Sequence, residues 1–148
     1  MQHNSIMQIG KSYDSATLVD ELLKTDKNVL VLGSAGTGKS YIINEGLRKN
    51  CPKNEILLSA PTGTAALRIG GYTINKLFCI TIHRQSFPLT VEFEKKIKDA
   101  NLLIIDEVSM CSYHLLNQID GICQKVRNNY TKSFGGLKFF KKVSSLKA

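Results

Sequence analysis

The sequence of 148 residues lacks any apolar run of the roughly 18 residues that a membrane-spanning helix needs. Residues 1–11 also lack the charged segment and apolar stretch of a secretory signal peptide. The four cysteines, Cys51, Cys79, Cys111 and Cys123, form no C-x-x-C pair. These absences favour a soluble intracellular protein without a membrane partner, and they argue against a zinc site or a disulfide framework. We therefore expect free, buried thiols.

Acidic residues are missing from the C-terminal segment 121–148, which holds seven lysines and arginines. The net charge of the whole chain is +8, yet residues 1–120 carry thirteen basic and twelve acidic residues. The excess of positive charge therefore belongs mostly to the C-terminal segment. Net charge alone does not indicate nucleic-acid binding by the rest of the chain, whose length suits one domain.

A complete phosphate-binding loop, GSAGTGKS, occupies residues 33–40. It fits G-x-x-x-x-G-K-[ST] at every defined position. An apolar strand pattern at 28–32 precedes it and a helical pattern at 41–48 follows, which is the context that the motif requires. The residues predicted to bind the phosphates are Gly33, Ser34, Ala35, Gly36, Thr37, Gly38, Lys39 and Ser40.

Four side chains have distinct predicted roles at this site. Lys39 would reach the β- and γ-phosphates, and the hydroxyl of Ser40 would bind Mg²⁺. Asp106 follows the apolar strand pattern 102–105 and would hold Mg²⁺, mostly through water. Glu107 would orient or deprotonate the attacking water. We predict that this strand lies beside the strand that leads into the phosphate-binding loop.

Strand patterns alternate with helix patterns along the chain, which predicts a parallel, doubly wound sheet. The first helix is expected to begin at Asp14 or Ser15 and to pack through Leu18, Val19, Leu22 and Leu23. The other predicted strands are 55–60 and 102–105, and the other predicted helices are 64–69, 73–78, 91–100 and 112–127, with Gly70 and Gly71 closing the first of these.

Four sequence blocks together resemble the first motor domain of the PIF-type DNA helicases. They are GSAGTGKS at 33–40, APTGTAALRIGGYTINKLF at 60–78, LLIIDEVSM at 102–110 and FGG at 134–136. Members of this family are superfamily-one enzymes of the 5′-to-3′ group, in which two RecA-like domains hydrolyse ATP and step along single-stranded DNA. The order and spacing of the blocks agree with the family over roughly 15–137.

The resemblance implies a RecA-like P-loop NTPase domain, with a parallel sheet and helices on both faces, that uses ATP and Mg²⁺. It implies single-stranded DNA as partner, work in DNA repair, recombination and telomere maintenance, and a nuclear or mitochondrial location in a eukaryote. Threonine hydroxyls and backbone N–H groups in a tight turn can bind DNA phosphates without reading bases. By resemblance, the DNA contacts are Pro61, Thr62, Gly63, Thr64 and Asn75.

The sequence departs from the family pattern in three places. Residues 13–18 contain no Gln where the family carries an adenine-recognition Gln, and Gln8 lies too early. Asn75 stands where members commonly have His. After residue 137 the γ-phosphate sensor, the C-terminal strands of the domain and the second motor domain with its arginine finger are expected to be missing. Since losing such an arginine costs ~10³–10⁵ in rate, we expect ATP binding, slow hydrolysis and no unwinding by this chain alone.

These departures suggest domain boundaries and leave alternatives open. We expect a flexible N-terminus at 1–12, a partial motor domain at 13–137 and an atypical basic tail at 138–148, from a truncated or frameshifted reading frame or a natural short product. A different P-loop enzyme, such as a nucleotide kinase or chaperone-like ATPase, would explain the phosphate-binding loop but not 60–78. A third hypothesis is a non-catalytic remnant that binds nucleic acid through its basic tail.

Overall fold

The computed structural model describes residues 7–8, 20, 23–24, 29–32, 46–47, 49, 51–52 and 55–143. The phosphate-binding loop at 33–40 lies outside these residues, as do the predicted start of the first helix and most of the helix predicted at 41–48. The architecture given below therefore concerns mainly residues 55–143 and the strands that pair with them.

Strands in the described part of the chain form one parallel sheet, in the order β1-β2-β6-β5-β3-β4. A parallel sheet is what alternating strand and helix patterns require, so the predicted fold class is confirmed. The strands are β1 (Met7–Gln8), β2 (Val29–Leu32), β3 (Ile56–Ala60), β4 (Tyr72–Thr73), β5 (Leu102–Asp106) and β6 (Lys138–Val143).

Four α-helices and two 3₁₀ helices connect the later strands. Each of the four α-helices begins after a Thr or Ser whose side-chain oxygen accepts a hydrogen bond from a backbone N–H of the first turn, which stabilises the helix start. The predicted helices 64–69, 73–78, 91–100 and 112–127 are confirmed to within two residues. The helices are α1 (Gly63–Ile69), α2 (Ile74–Leu77), α3 (Val91–Asp99) and α4 (Tyr113–Val126), and the 3₁₀ helices are Val108–Met110 and Ser133–Gly136.

Helices cover both faces of the sheet, as predicted. Side chains alternate along a strand, so Leu103 and Ile105 of β5 join the cluster formed with α2, α3 and α4. Leu102 and Ile104 point to the opposite face and join α1 and Leu47. β5 is thereby buried along its whole length, which explains its uninterrupted apolar sequence.

The segment Lys138–Val143 is a central strand of the sheet rather than part of a tail. β6 pairs with β2 on one side and with β5 on the other, and Phe139 is buried at 1% exposure. The predicted domain end at residue 137 is therefore wrong, and a strand that we expected to be missing is present. The sequence did not predict this strand because it contains three lysines, whereas a central parallel strand is usually apolar. Residues 144–148 lie outside the described part of the chain.

Two residues near the N-terminus also belong to the sheet. Met7 and Gln8 pair in parallel with Val29 and Leu30 and form the edge strand β1. These two residues fall within the segment 1–12 that we expected to be flexible, and the rest of that segment lies outside the described residues. Strand pairing uses backbone groups, so a short polar segment can join a sheet edge without an apolar pattern.

The cysteines are free, although only Cys123 is fully buried, while Cys51, Cys79 and Cys111 are half-buried. Burial raises the pKa of the Cys123 thiol to about 12 and that of Cys111 to about 11. Within the ranges given above, no three His, Cys, Asp or Glu side chains are grouped so as to hold a metal ion. No helix in the same ranges is long and apolar enough to cross a membrane.

The close packing of Gly71 against β3 gives a stability prediction. A Cβ at this position would lie 2.4 Å from the carbonyl oxygen of Leu58, whereas one at Gly121 of α4 would meet nothing within 4 Å. We expect Gly71→Ala to lower the free energy of unfolding by about 1–3 kcal/mol, because backbone must move. Gly121→Ala should raise it by up to about 1 kcal/mol, because alanine favours helix. Urea unfolding of both variants tests this, and equal midpoints would contradict it.

Candidate nucleotide site and single-strand contacts

The predicted metal ligand Asp106 is a buried carboxylate at the carboxyl end of β5. Its exposure is 1%, and its Oδ1 accepts a hydrogen bond of 2.9 Å from the backbone N–H of Glu107. A buried charge is costly unless it is paired or coordinates a cation. A carboxylate oxygen is the type of ligand that Mg²⁺ prefers, so the chemistry of this group fits the predicted role.

The predicted catalytic Glu107 has an unusual backbone conformation. Its φ of 55° and ψ of 44° place it in the left-handed region, and it is half-buried directly before the 3₁₀ helix Val108–Met110. A non-glycine residue in this region costs of the order of 1–3 kcal/mol, and such residues cluster at functional sites. The strain was not predicted from the sequence, and it supports a functional interpretation of this turn.

β6 connects the strand of Asp106 with the strand that precedes the phosphate-binding loop. Asp106 is in register with Lys142, and Lys142 with Val31. Since neighbouring strands lie about 4.8 Å apart, the backbones of Asp106 and Val31 are about 10 Å apart. The prediction that β5 lies directly beside β2 is therefore wrong. Leu32 nevertheless ends β2 at the same sheet edge, and the loop 33–40 follows it in the sequence.

The predicted single-strand contacts at 61–64 lie in the turn between β3 and α1. Thr62 accepts a hydrogen bond of 3.2 Å from the N–H of Ala65 and so caps α1. Its hydroxyl proton can still be donated to a phosphate oxygen. Pro61 is half-buried, whereas Gly63 and Thr64 are exposed. The turn is accessible, as a nucleic-acid contact requires.

This turn and Asp106 lie at the same edge of the sheet. β3 and β5 are parallel neighbours, and Ser59 is in register with Ile105. The hydroxyl of Ser59 also donates a 3.1 Å hydrogen bond to the carbonyl of Ile104, which joins the two strands near their ends. Parallel strands place their carboxyl ends together, and ligands of open α/β sheets bind at this edge. The structure thus brings Asp106 near the predicted single-strand contacts.

Asn75 lies in the short helix α2, one strand further along the same edge. Thr73 caps this helix by accepting a hydrogen bond from Lys76 N–H. Asn75 is half-buried, and its backbone carbonyl accepts a 3.0 Å hydrogen bond from Ile80 N–H. The residue therefore fixes the start of the segment that follows α2.

The Phe-Gly-Gly block at 134–136 has a structural explanation. All three residues have positive φ, and a Cβ at Gly135 would lie 2.6 Å from the carbonyl oxygen of Cys123. The backbone N–H of Phe134 donates to Asp120 Oδ1 at 2.6 Å. The block therefore turns the chain tightly against α4 just before β6 begins.

Arg127 was not singled out from the sequence, yet its guanidinium joins three segments. Nε donates to the carbonyl of Gly135 at 2.9 Å. One terminal nitrogen lies 2.7 Å from the carbonyl oxygen of Ala100 and 3.1 Å from those of Ile97 and Lys98. Arg127 thus binds the end of α3 and the turn before β6 from the end of α4. A basic residue at a helix end is the available sequence signal, but it identifies no partner.

The parallel α/β sheet carries a buried acid at its carboxyl edge, one strand away from the strand that leads into GSAGTGKS. This arrangement defines a RecA-like nucleotide-binding domain. A family model described as PIF1-like helicase matches residues 12–140. The chain belongs to the PIF1-like helicase family. This assignment argues against the alternative of an unrelated P-loop kinase or chaperone-like ATPase.

Individual relatives are similar over most of the chain. The ATP-dependent DNA helicase RRM3 of Saccharomyces cerevisiae is 33% identical over an alignment of 148 positions, which covers 93% of this chain and 20% of that protein. The ATP-dependent DNA helicase Pif1 of a Psychrobacter species is 35% identical over 130 residues, covering 82% of this chain and 19% of the relative. The chain thus spans about a fifth of the length of these curated relatives.

Solved structures show the same similarity. The crystal structure of Pif1 helicase from Bacteroides in complex with ADP-AlF3 and single-stranded DNA has a TM-score of 0.77 and 28% sequence identity, and it covers 89% of this chain and 32% of that chain. The crystal structure of Pif1 helicase from Candida albicans gives a TM-score of 0.72 and 29% identity, with 89% and 32% covered. The fold is therefore that of one part of a larger helicase.

Proposed function

We propose that this chain is the ATP-binding part of the first motor domain of a PIF1-type DNA helicase. The observation that carries this proposal is the buried Asp106 carboxylate. It lies at the carboxyl edge of the sheet, where only β6 separates its strand from β2, which leads into the phosphate-binding loop. Relatives named ATP-dependent DNA helicases support it, as does the Bacteroides structure with ADP-AlF3 and single-stranded DNA.

In the proposed site, Lys39 and the loop backbone bind the ATP phosphates, while Ser40 and Asp106 hold Mg²⁺. When bound, Mg²⁺ would supply Lewis-acid stabilisation of the charge that develops during phosphoryl transfer. Glu107 orients the attacking water and accepts its proton. Its half-buried position one residue after Asp106 allows water to reach it.

The turn at 61–64 and Asn75 bind single-stranded DNA through phosphates, without selecting a base sequence. Movement along the strand in the 5′-to-3′ direction requires a second motor domain, which also supplies the arginine that accelerates hydrolysis. We therefore expect this chain alone to bind ATP, to hydrolyse it slowly and to unwind no DNA. We further propose a role inside the cell, in DNA repair, recombination and telomere maintenance.

Magnesium dependence of ATP binding tests the proposed role of Asp106. In the wild-type chain Mg²⁺ should tighten ATP binding, and Asp106→Asn should reduce that gain about tenfold, because one negative oxygen ligand is lost. Asp99→Asn, at the exposed end of α3, removes the same charge away from the site and is the matched control. Titration of a fluorescent ATP analogue with and without Mg²⁺ measures the gain. An unchanged gain in Asp106→Asn would exclude this residue as a metal ligand.

A further inference from the structure

The strand β4 is shorter than the strand that it covers. Its two residues pair only with Ser59 and Ala60 of β3, which begins three residues earlier, at Ile56. In the described part of the chain, no strand residue is in register with residues 56–58 on that side of β3. The sheet therefore has an open edge beside the first half of β3, and such an edge can pair with another strand.

The backbone of Ile56 is directed at this open edge. Successive residues of a strand point their N–H and C=O groups to alternate sides. The carbonyl of Glu55 accepts a 2.8 Å hydrogen bond from Asn101 N–H, so it faces β5. The groups of Ile56 and Leu58 therefore face away from β5, which agrees with the Leu58 carbonyl lying 2.4 Å from a Cβ built at Gly71. Ile56 thus offers one donor and one acceptor to a neighbouring chain.

A cavity of about 510 Å³ opens at the same edge. Residues 56–58 of β3, residues 70–72 and one side of α3 line it. Ile56 and Leu58 are half-buried apolar residues of this lining, and the Tyr72 ring packs edge-on against Phe93 of α3 at 5.1 Å between centroids. The volume lies within the range of about 300–1,000 Å³ found for ligand sites, so a few residues of an extended chain can enter.

Charged side chains of α3 border the cavity. They are Glu92, Lys95, Lys96 and Asp99. Lys96 Nζ lies 4.0 Å from Glu92 Oε1, whereas neither Lys95 nor Asp99 forms an ion pair in the part of the chain that the structure describes. Both residues are exposed. One positive and one negative group are therefore available to an occupant of the cavity.

The direction of α3 sets the order of these two charges along β3. The start of α3 packs against β4 through the Tyr72–Phe93 ring pair, and Asn101, just after its end, bonds to the residue before β3. Asp99 therefore lies near the start of β3, and Lys95 lies further toward its end. Four helical residues rise about 6 Å and two strand residues about 6.6 Å, so side chains two apart in an extended chain can meet both charges.

We propose that this cavity binds an extended segment of a partner protein, which pairs with β3 as a parallel strand in line with β4. The segment carries a basic, an apolar and an acidic residue in that order, so that the basic side chain faces Asp99 and the acidic one faces Lys95. Such binding obtains its affinity from main-chain hydrogen bonds, here to Ile56, and its specificity from alternate side chains. The proposal goes beyond nucleotide and DNA binding, since β3 lies three strands from β2.

Titration of the isotope-labelled full chain with the acetylated and amidated peptide Thr-Lys-Val-Glu-Thr, followed by NMR, tests the proposal on the wild-type protein. We expect the amide signals of Ile56 and Leu58 to shift, with a Kd of about 1 mM or tighter. Two further versions of the peptide are N-methylated, one at its odd-numbered and one at its even-numbered residues. Only one version should lose affinity, by about tenfold or more, because alternate N–H groups of a strand face its partner.

A charge exchange tests the side-chain contacts of the peptide. Lys95→Glu should weaken its binding about threefold to tenfold, because an attraction becomes a repulsion. The peptide Thr-Lys-Val-Lys-Thr should restore the affinity for this variant, since its second lysine then meets a carboxylate. Lys98→Glu is the matched control, because Lys98 is exposed on the same helix but does not line the cavity, and binding should stay within about twofold of wild type.

Three results would overturn the proposal, and each leaves the proposed nucleotide and DNA binding untouched. The first is the absence of any shift at Ile56 and Leu58 in the wild-type chain at millimolar peptide. The second is equal binding of both N-methylated peptides, which would show a cavity that holds side chains without strand pairing. The third is a shift of the same amide signals when the chain alone is concentrated, which would show that a second copy occupies the edge.

Discussion

Replacement of Lys39 by alanine is expected to weaken binding of ATP in the presence of Mg²⁺ by roughly 100-fold. The residue is the only lysine of the GSAGTGKS loop, and its ammonium is proposed to contact the β- and γ-phosphates. Removing one partner of a close charge pair typically costs about 2–5 kcal/mol, and 1.4 kcal/mol corresponds to a factor of ten. Isothermal titration calorimetry on the isolated chain measures the change directly.

A lysine outside the phosphate-binding loop serves as the control for the loss of ATP affinity in Lys39→Ala. Lys95→Ala, on the exposed side of α3, removes the same charge and should leave ATP affinity within about twofold of wild type. ADP should show a smaller loss than ATP in Lys39→Ala, because it lacks the γ-phosphate. Tight nucleotide binding by the Lys39 variant would show that GSAGTGKS does not serve as a phosphate-binding loop here.

Arg127→Ala is expected to lower the free energy of unfolding by about 2–4 kcal/mol. Hydrogen bonds from a charged donor contribute about 1.5–3 kcal/mol each in favourable cases, and this guanidinium is half-buried against four carbonyls. These carbonyls belong to the end of α3 and to the turn before β6. Loss of the hydrogen bonds to them should therefore destabilise the start of β6. Urea unfolding followed by circular dichroism gives the change in free energy.

Two further variants separate the geometry of Arg127 from its charge. Arg127→Lys keeps the charge but cannot bridge Gly135 and Ala100 with a planar fork, so we expect it to recover less than half of the lost stability. Lys125→Ala removes a positive charge from an exposed position near the same helix end and should change stability by less than about 0.5 kcal/mol. If Arg127→Ala unfolds at the wild-type urea concentration, the contacts of this side chain do not stabilise the domain.

Elements with a periodic apolar pattern could be predicted from the sequence. β3 and β5 were found close to their predicted bounds because each is a short, largely apolar run, and α3 and α4 because their apolar residues repeat about every 3.6 residues. Asp106 was likewise placed correctly, at the end of a fully buried strand. In each of these cases the local order of apolar residues reflects how the element is buried in the fold.

Features that depend on distant partners could not be predicted in this way. β6 carries lysines in a central position, and only its pairing with β2 and β5 identifies it as a strand. The hairpin at residues 79–87 is contacted by Gln118, which donates a hydrogen bond to Arg84 from 34 residues further along the sequence. The left-handed conformation of Glu107 is set by the turn around it, and no composition rule indicates it.

The position of β6 has a consequence for how the domain folds. β2 and β5 are not adjacent in the sheet, because β6 lies between them. β6 follows β2 by about 110 residues in the sequence. During synthesis the β1-β2 pair and the β5-β3-β4 group must therefore wait, with exposed backbone edges, until residues 138–143 emerge. Late closure of this kind is slow and exposes strand edges to aggregation. The lysines of β6 made the strand hard to predict from the sequence. They also give the segment a positive charge, which disfavours its aggregation before it pairs with β2 and β5.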